Sequence, residues 1–324
     1  MKTKRLLLWA IAVAVLVALP PVMTAIGETF YIDLVRRIMI LAIAAVSLNL
    51  ILGYGGMVSF GHAAYLGIGA YAVGILGFYG VTSGWLQWAL AIGGSAAVAA
   101  AIGAISIRTS GIYFIMITLA FTQMLYYLGI SLEEFGGDDG MRLKAKSQFA
   151  GLIDLGNPVA FYYLALALML LAVLVTYKIV NSRFGMVLRA AKSNEARTRA
   201  IGFSPYPYRL AAFTIAGAMC GLSGALYANH TNYIVPGLMS WQHSGELMFM
   251  VILGGIASTA GPVLGAFALI FTEEVLKVLL NGVAPLFGKR DWAEYWAVLM
   301  GPLLVLSVIF FRRGLAGIFY KPDA

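Results

Sequence analysis

Long apolar runs, separated by short polar or Gly- and Pro-containing segments, occupy most of the chain. The runs do not alternate apolar with polar residues as β-strands do, and residues 6–19 are a clear example. Since a helix needs about 20 residues to cross a bilayer, the pattern predicts an all-α, polytopic membrane protein. The predicted transmembrane helices lie near residues 6–26, 34–52, 63–80, 86–107, 111–130, 159–180, 208–229, 245–257, 262–280 and 294–311.

The first run follows Lys2, Lys4 and Arg5, as the apolar part of a signal peptide would. Its length and the poor cleavage sequence Met23-Thr24-Ala25 favour an uncleaved membrane anchor.

The composition supports one transmembrane domain over residues 1–324. Of the 324 residues, 61% are apolar and 11% are charged, and the mean hydropathy is +0.88. A soluble domain is typically near half apolar and a quarter charged, so this excludes a nuclease, kinase or dehydrogenase domain of ordinary size. The single Cys220 allows neither an internal disulfide nor a cysteine metal site.

The distribution of charge predicts the orientation of the ten helices. With both termini in the cytoplasm, cytoplasmic segments carry 14 of the 22 basic residues, and their acids are Glu195 and Asp323. This agrees with the positive-inside rule and accounts for the net charge of +8 without a nucleic-acid partner. It also places residues 131–157 in a periplasmic loop and residues 181–207 in a cytoplasmic one.

Ionisable residues at membrane depth often mark ion or proton pathways because they are costly there. Arg36 and Arg37 lie near the start of the second helix, and Glu273, Glu274 and Lys277 lie in the outer half of the ninth. We interpret them as interfacial ion pairs and as side chains that reach toward water. The pattern shows no carboxylate near the midplane, which disfavours an ion-coupled carrier, the main rival function.

Two polar breaks interrupt the helical pattern, one in each half of the chain. The first spans residues 53–65 and the second spans residues 254–262. Each precedes a Gly-Ala-aromatic triplet, Gly69-Ala70-Tyr71 or Gly265-Ala266-Phe267. Interrupted helices in corresponding halves are typical of a transport pathway, although two tight helix hairpins built from turn residues explain the pattern equally well.

The breaks supply the candidate residues for a translocation path. These are Ser59, Gly61, His62, Tyr65, Gly255, Ser258, Thr259 and Gly261. We expect His62 to act as a hydrogen-bonding residue in helix packing, because no His, Cys or acidic residue accompanies it at metal-ligand spacing.

The cytoplasmic segment 181–207 predicts a short helix over residues 195–201. Ser193 or Asn194 can cap its start, and Gly202 ends it. Its apolar Ala196, Ala200 and Ile201 can dock in a groove of a soluble partner. The alternative is a surface helix held by anionic lipid.

Several motifs together resemble the permeases of bacterial branched-chain amino acid ABC importers, the LivM-type half of the LivH/LivM family. The resemblance covers about residues 32–311. It is carried by Asn49-Leu50, Gly53-Tyr54-Gly55-Gly56, Ser59-Phe60-Gly61-His62-Ala63-Ala64-Tyr65, Gly136-Gly137, Asp139-Gly140, residues 189–202, Tyr208-Arg209-Leu210-Ala211-Ala212-Phe213 and residues 218–226.

The resemblance implies a multi-pass subunit of the bacterial inner (plasma) membrane that transports by alternating access. Its implied partners are a second, LivH-type permease, two cytoplasmic ATPase subunits, a periplasmic substrate-binding protein and membrane lipid. The implied substrates are branched-chain amino acids, with urea, short amides or aromatic acids as alternatives carried by relatives. The coupling helix that receives the ATPases would be formed by Arg189, Asn194, Glu195, Ala196, Ile201 and Gly202.

The residues themselves also predict a transporter that is not an enzyme and binds no cofactor. The chain has no phosphate-binding Gly-x-x-x-x-Gly-Lys-Ser/Thr motif, and Gly288-Lys289-Arg290 lacks the hydroxyl residue. It also has no His-Glu-x-x-His pair that would indicate an intramembrane metalloenzyme. Energy for uphill transport must therefore come from another chain, where ATP and Mg²⁺ would bind.

Overall fold

The apolar runs form α-helices in the computed structural model, which describes residues 2–151, 153–283, 296–310 and 314–319. The helices are α1 Lys2–Ile26, α2 Phe30–Asn49, α3 His62–Phe78, α4 Gly84–Ser106, α5 Ile112–Ser131, α6 Pro158–Val180, α7 Arg183–Ser193, α8 Glu195–Ala200, α9 Pro205–Thr231, α10 Trp241–Gly254, α11 Gly261–Val283, α12 Trp296–Phe310 and α13 Ala316–Phe319. Each predicted run coincides with one of them. The motif Gly288-Lys289-Arg290 lies outside the described residues.

Six helical stretches of the described chain are long and apolar enough to cross a membrane. They are Trp9–Ile26, Phe30–Tyr54, Gly84–Ser106, Ile112–Ser131, Pro158–Val180 and Pro205–Thr231. Phe30–Tyr54 is the central helix, buried over 89% of its apolar window, whereas Trp9–Ile26 is 6% buried and lies at the periphery. A helix that is apolar on all sides is stable either inside a bundle or against lipid, and these two show both cases.

Small residues allow α9 to pack closely against α3 and α4. A Cβ atom on Gly224 would lie 1.9 Å from the carbonyl oxygen of Leu66, and one on Gly217 would lie 2.3 Å from Cβ of Ala99. Close approach of helix backbones at small residues is typical of membrane proteins. Gly69 and Gly265, which begin the two triplets, are also close-contact positions, with backbone oxygens 2.0 Å and 1.8 Å from a Cβ placed there.

The segments outside the bundle lie at its two ends. Strand β1 (Met141–Arg142) pairs antiparallel with β2 (Tyr233–Ile234), which joins the loop after α5 to the end of α9. Since α9 has 27 residues and is therefore about 40 Å long, α8 lies at the opposite end. We call these the β-strand end and the α7–α8 end.

Buried hydrogen bonds hold the loop 131–157 in place at the β-strand end. Asn229 accepts a bond from the backbone N–H of Ser147 (2.8 Å) and donates to its hydroxyl (2.9 Å). In the motif Gly136-Gly137 with Asp139-Gly140, Gly140 has φ +80° and a Cβ there would lie 2.3 Å from the carbonyl oxygen of Ile234. Glycine is required because both the conformation and the space exclude a side chain.

Candidate functional site

The first break begins with a change of helix type. Helix α2 continues into a π-helical turn over Leu50–Tyr54, and residues 55–61 are irregular before α3 starts at His62. The chain turns back beside α2, because His62 Nε2 lies 2.7 Å from the hydroxyl of Ser47. π-helical turns occur frequently at functional sites.

The second break is a tight hairpin between α10 and α11. A Cβ on Gly254 would lie 1.9 Å from the carbonyl oxygen of Gly261. The connection needs left-handed backbone at Gly255 (φ +115°) and Ala257 (φ +62°). The hairpin interpretation is therefore correct for this break. The first break is different, because α3 packs mainly against α4 and α9.

Asn49 joins the two breaks, although it is 208 residues from Ala257 in sequence. Its side-chain oxygen accepts a bond from the backbone N–H of Ala257 (3.1 Å), and its amide nitrogen donates to the carbonyl of Ser258 (2.8 Å). The contact needs glycine at position 53, where a Cβ would lie 2.1 Å from Oδ1 of Asn49 and 2.7 Å from the backbone nitrogen of Ala257. Asn49 is fully buried. Both the oxygen and the nitrogen of its side-chain amide form hydrogen bonds with the second break.

The candidate path residues form two groups. Ser59, Gly61, His62 and Tyr65 are buried against α5, α9 and α10. Gly255, Ser258, Thr259 and Gly261 form the second break, where Ser258 and Thr259 are partly exposed.

In this conformation the first group packs within the bundle rather than around an opening. Its role in translocation stays a prediction that requires this packing to change. His62 does act in helix packing, through its bond to Ser47. Among the described residues no group of His, Cys, Asp and Glu side chains could hold a metal ion.

The predicted short helix is α8, with the expected start and end. The side-chain oxygen of Asn194 accepts a bond from the backbone N–H of Arg197 (2.9 Å), so Asn194 is the cap. Ser193 instead ends α7, a helix that the sequence pattern did not predict. Gly202 follows α8 with φ +92°, a conformation for which glycine is favoured.

Glu195, on α8, forms an ion pair with Arg209, on α9. Its carboxylate accepts hydrogen bonds from Arg209 (2.7 Å) and from Arg199 (2.6 Å). Burial alone would raise the pKa of Glu195, but the bonds and charges of Arg209 and Arg199 outweigh it and leave the pKa below its ordinary value of 4.5. The Arg209 side chain is 17% exposed and that of Arg199 is 67% exposed, so Arg209 makes the stronger pair.

We expect Glu195→Gln to weaken the docking of α8 by about 0.5–1 kcal/mol, because part of the pair is exposed and screened. Hydrogen exchange of the α8 amides in the purified protein measures this as faster exchange at pH 7. A carboxyl group whose pKa is lower in the folded protein than in the unfolded chain stabilises the fold at pH values above its unfolded pKa. This stabilisation is lost as the pH falls through its folded pKa. The difference should therefore begin to shrink as the pH falls below 4.5 and be lost only below the lowered pKa of Glu195 in the folded protein.

Arg209→Gln and Arg199→Gln form a matched pair for this experiment. Arg209→Gln should speed exchange more than Arg199→Gln. Equal effects, or an effect of Glu195→Gln that persists in acid, would show that the ion pair does not hold α8.

Lys192 connects the same segment to the first break. Its ammonium group donates a 2.6 Å bond to the carbonyl oxygen of Gly53, and its stem covers Gly56, where a Cβ would lie 2.9 Å from Cγ of Lys192. A continuous series of contacts therefore runs from α7 through Gly53 and Asn49 to the second break. Arg189, in contrast, is exposed and bonds within its own helix to the carbonyl of Gly185 (3.4 Å).

The exposed surface of α8 carries Arg197 and Arg199 beside two alanines, and exposed apolar residues follow the helix. Ala196 and Ala200 are exposed, and Ile201 and Phe203 are 64% and 42% exposed. Large apolar side chains grouped on a surface outside the membrane indicate a protein contact.

The fold and this site define a polytopic helical membrane protein in which a short helix outside the bundle is linked to two broken helices. The chain belongs to the family of branched-chain amino acid transport system permease components, whose model matches residues 30–308.

Three relatives illustrate the similarity. The chain is 28% identical over 331 residues to the high-affinity branched-chain amino acid transport system permease protein LivM of Salmonella typhimurium, covering 95% of this chain and 74% of the relative. It is 25% identical over 338 residues to the probable branched-chain amino acid transport permease protein LivM of Methanocaldococcus jannaschii, covering 88% and 93%. It is 23% identical over 295 residues to the high-affinity branched-chain amino acid transport system permease protein LivH of Escherichia coli, covering 85% and 91%. No solved structure matches the chain.

Proposed function

We propose that this chain is a permease subunit of an ATP-driven importer of branched-chain amino acids in the bacterial inner (plasma) membrane. The observation that carries the proposal is the route of contacts from α7 to both breaks. Lys192 bonds to Gly53, which lies four residues after Asn49 on the same helical stretch, and Asn49 bonds to the second break. A force applied to the α7–α8 segment would reach both broken helices along this route. The family and the names of the relatives support the substrate class.

The proposed topology has ten crossings with both termini in the cytoplasm. The loops 131–157 and 232–240 meet through β1 and β2 at one end, and α7 and α8 lie at the other. This is the arrangement that the positive-inside rule requires, with the basic residues of 178–209 in the cytoplasm.

The proposed partners would bind at the α7–α8 end and at the β-strand end of the bundle. Two ATPase subunits, which bind ATP and Mg²⁺, would contact the exposed face of α8, with Ala196 and Ile201 in their groove. A substrate-binding protein would dock at the β-strand end, where Glu133, Glu134, Asp138 and Asp139 are exposed and can steer a basic surface. The second permease would be LivH-like, since the chain is similar to both LivM and LivH proteins.

The substrate is tested with the chain reconstituted with its second permease, its ATPases and its binding protein. Uptake of radiolabelled leucine is measured in competition with isoleucine, valine, urea, acetamide and phenylacetate. The proposal predicts that the aliphatic amino acids compete and that the other compounds do not. Competition by urea, amides or aromatic acids alone would assign the chain to an importer of that alternative substrate class.

The contact with the ATPases is tested by cross-linking from Ile201→Cys. With a thiol-reactive photo-cross-linker attached, this cysteine should cross-link to an ATPase subunit in the assembled complex. The same label on Tyr233→Cys, at the β-strand end, should not. A cross-link from position 233 and none from position 201 would reverse the proposed orientation.

The position of Glu273 bears on the rival function, an ion-coupled carrier. Glu273 is the thirteenth of the 23 residues of α11, just past the middle and in the C-terminal half of the helix, where it was expected. It is paired there with Lys277 at 2.5 Å and faces Arg37 at 3.9 Å. Both partners belong to the bundle itself, which supports a fixed structural role for Glu273 rather than a transport role.

A further inference from the structure

Two helices that pack against the central helix α2 carry charged residues. Helices α10 and α11 are absent from the six apolar spans, and they carry Glu246 and Glu273 in their interiors. Glu246 is the sixth of the 14 residues of α10, and its side chain is 48% exposed. A charged side chain on a helix within a membrane is costly against lipid. The exposed part of the Glu246 side chain must therefore face water or protein.

A groove beside Glu246 is formed by α2, α3, α9 and α10. Its lining includes the charged Arg37 and Glu246, the polar His243 and Tyr227, and the apolar Leu41, Leu66, Leu247 and Met250. The groove is shallow and open on one side, so a ligand in it would remain partly exposed. The groove is therefore lined by a guanidinium group, a carboxylate and several apolar side chains.

The charges of the groove are incompletely neutralised among the described residues. Arg37 makes one ion pair, to Glu273 at 3.9 Å, which is longer than a hydrogen bond. Glu273 already has a closer partner in Lys277 at 2.5 Å. Glu246 is bonded to His243 at 2.7 Å. One guanidinium and one carboxylate thus remain able to bind charges of opposite sign.

We propose that this groove is a subsite for the transported amino acid in its zwitterionic form. Arg37 binds the α-carboxylate, Glu246 binds the α-ammonium group, and the aliphatic side chain lies on Leu41, Leu66 and Met250. The arrangement selects against urea and neutral amides, which have no charges to match. The assignment rests on the proposed function, because it takes the substrate to be an amino acid.

The first test replaces the charges in the complete transporter, with leucine-loaded binding protein at saturation. Arg37→Gln and Glu246→Gln should each lower the maximal rate of leucine uptake by about ten-fold, the lower end of what one lost bond to a charged group gives. Glu246→Asp should restore part of the rate. Glu274→Gln is the matched control, since Glu274 does not line the groove, and it should transport normally.

Assembly of the complex should stay unchanged in these variants, as measured by its yield and size on gel filtration. If Arg37→Gln or Glu246→Gln instead prevents the two permeases from assembling, the groove is an interface between subunits and the proposal is overturned. Normal uptake by both variants would also overturn it.

The second test measures occupancy directly. Cys220 is buried, so a cysteine placed at Leu41 reacts without interference from this chain. A water-soluble thiol reagent should modify Leu41→Cys in the complex, and leucine-loaded binding protein should slow the reaction about ten-fold relative to the leucine-free form, as expected for a site largely occupied. Phe271→Cys, exposed on α11 outside the groove, should show no such difference.

The proposed subsite and the proposed importer function can be refuted separately. If the unsubstituted complex takes up leucine but leucine does not protect Leu41→Cys, the subsite is wrong and the importer function stands. If the unsubstituted complex takes up no leucine, the proposed function itself fails.

Discussion

Asn49→Leu in the assembled transporter is expected to lower the rate of leucine uptake by more than ten-fold, a loss of roughly 1.4 kcal/mol or more. Leucine fills a similar volume but leaves the N–H of Ala257 and the carbonyl of Ser258 without the bonds that Asn49 supplies. Each unsatisfied buried group costs about 1–3 kcal/mol. The second break would then no longer follow the first when α7 moves.

Asn49→Asp tests the donor half of the contact. Aspartate keeps the acceptor for Ala257 but turns a carboxylate oxygen toward the carbonyl of Ser258 at a fully buried position, so uptake should fall at least as far as in the leucine variant. Asn181→Leu is the matched control, because Asn181 is exposed and bonds within its own helix to Tyr177. Normal transport by Asn49→Leu would contradict the proposed link between the breaks.

Gly224→Val is expected to abolish the folded protein. A Cβ at this position would lie 1.9 Å from the carbonyl oxygen of Leu66 and 3.0 Å from the backbone nitrogen of Ala70. Both atoms belong to the backbone of α3, so neither can move aside without displacing the whole helix. Overpacking commonly costs about 1–3 kcal/mol, and a clash with rigid backbone at the central helix crossing should exceed this.

The yield of monodisperse protein and its thermal unfolding measure the effect. Gly93→Ala in α4 is the control, because a Cβ there meets nothing within 4 Å and alanine is the better helix former by about 1 kcal/mol. Gly224→Ala should already lower the unfolding temperature. An unfolding temperature for Gly224→Val equal to that of the unsubstituted protein would show that α3 and α9 do not pack in this way.

The sequence predicted the helices well because their signal is local. Apolar runs, the cap at Asn194 and the stop at Gly202 each depend on a few neighbouring residues. The π-helical turn at Leu50–Tyr54 gives no comparable signal, since it depends on how α2 meets the second break. Helix α7 was not predicted, because it is short and amphipathic. It also begins only two residues after α6 ends.

The candidate site was only partly predictable, because its main contacts join distant parts of the chain. Asn49 belonged to a recognised motif, but nothing in the sequence pairs it with Ala257. Lys192 looked like one of several basic residues in a cytoplasmic loop, and its bond to Gly53 spans 139 residues. Glu246 was not singled out, although an acidic residue inside an otherwise apolar helix is a signal that sequence reasoning can use.

The central claim is that transport through this chain is powered by ATP hydrolysis on partner subunits that act at the α7–α8 end. It is tested most directly by leucine accumulation in proteoliposomes containing the complete complex and binding protein, with ATP supplied on the α7–α8 side. We predict accumulation above the external concentration with ATP, none with a non-hydrolysable analogue, and none from this chain alone under a proton or sodium gradient. Uphill accumulation by the isolated chain, driven by an ion gradient, would contradict the account.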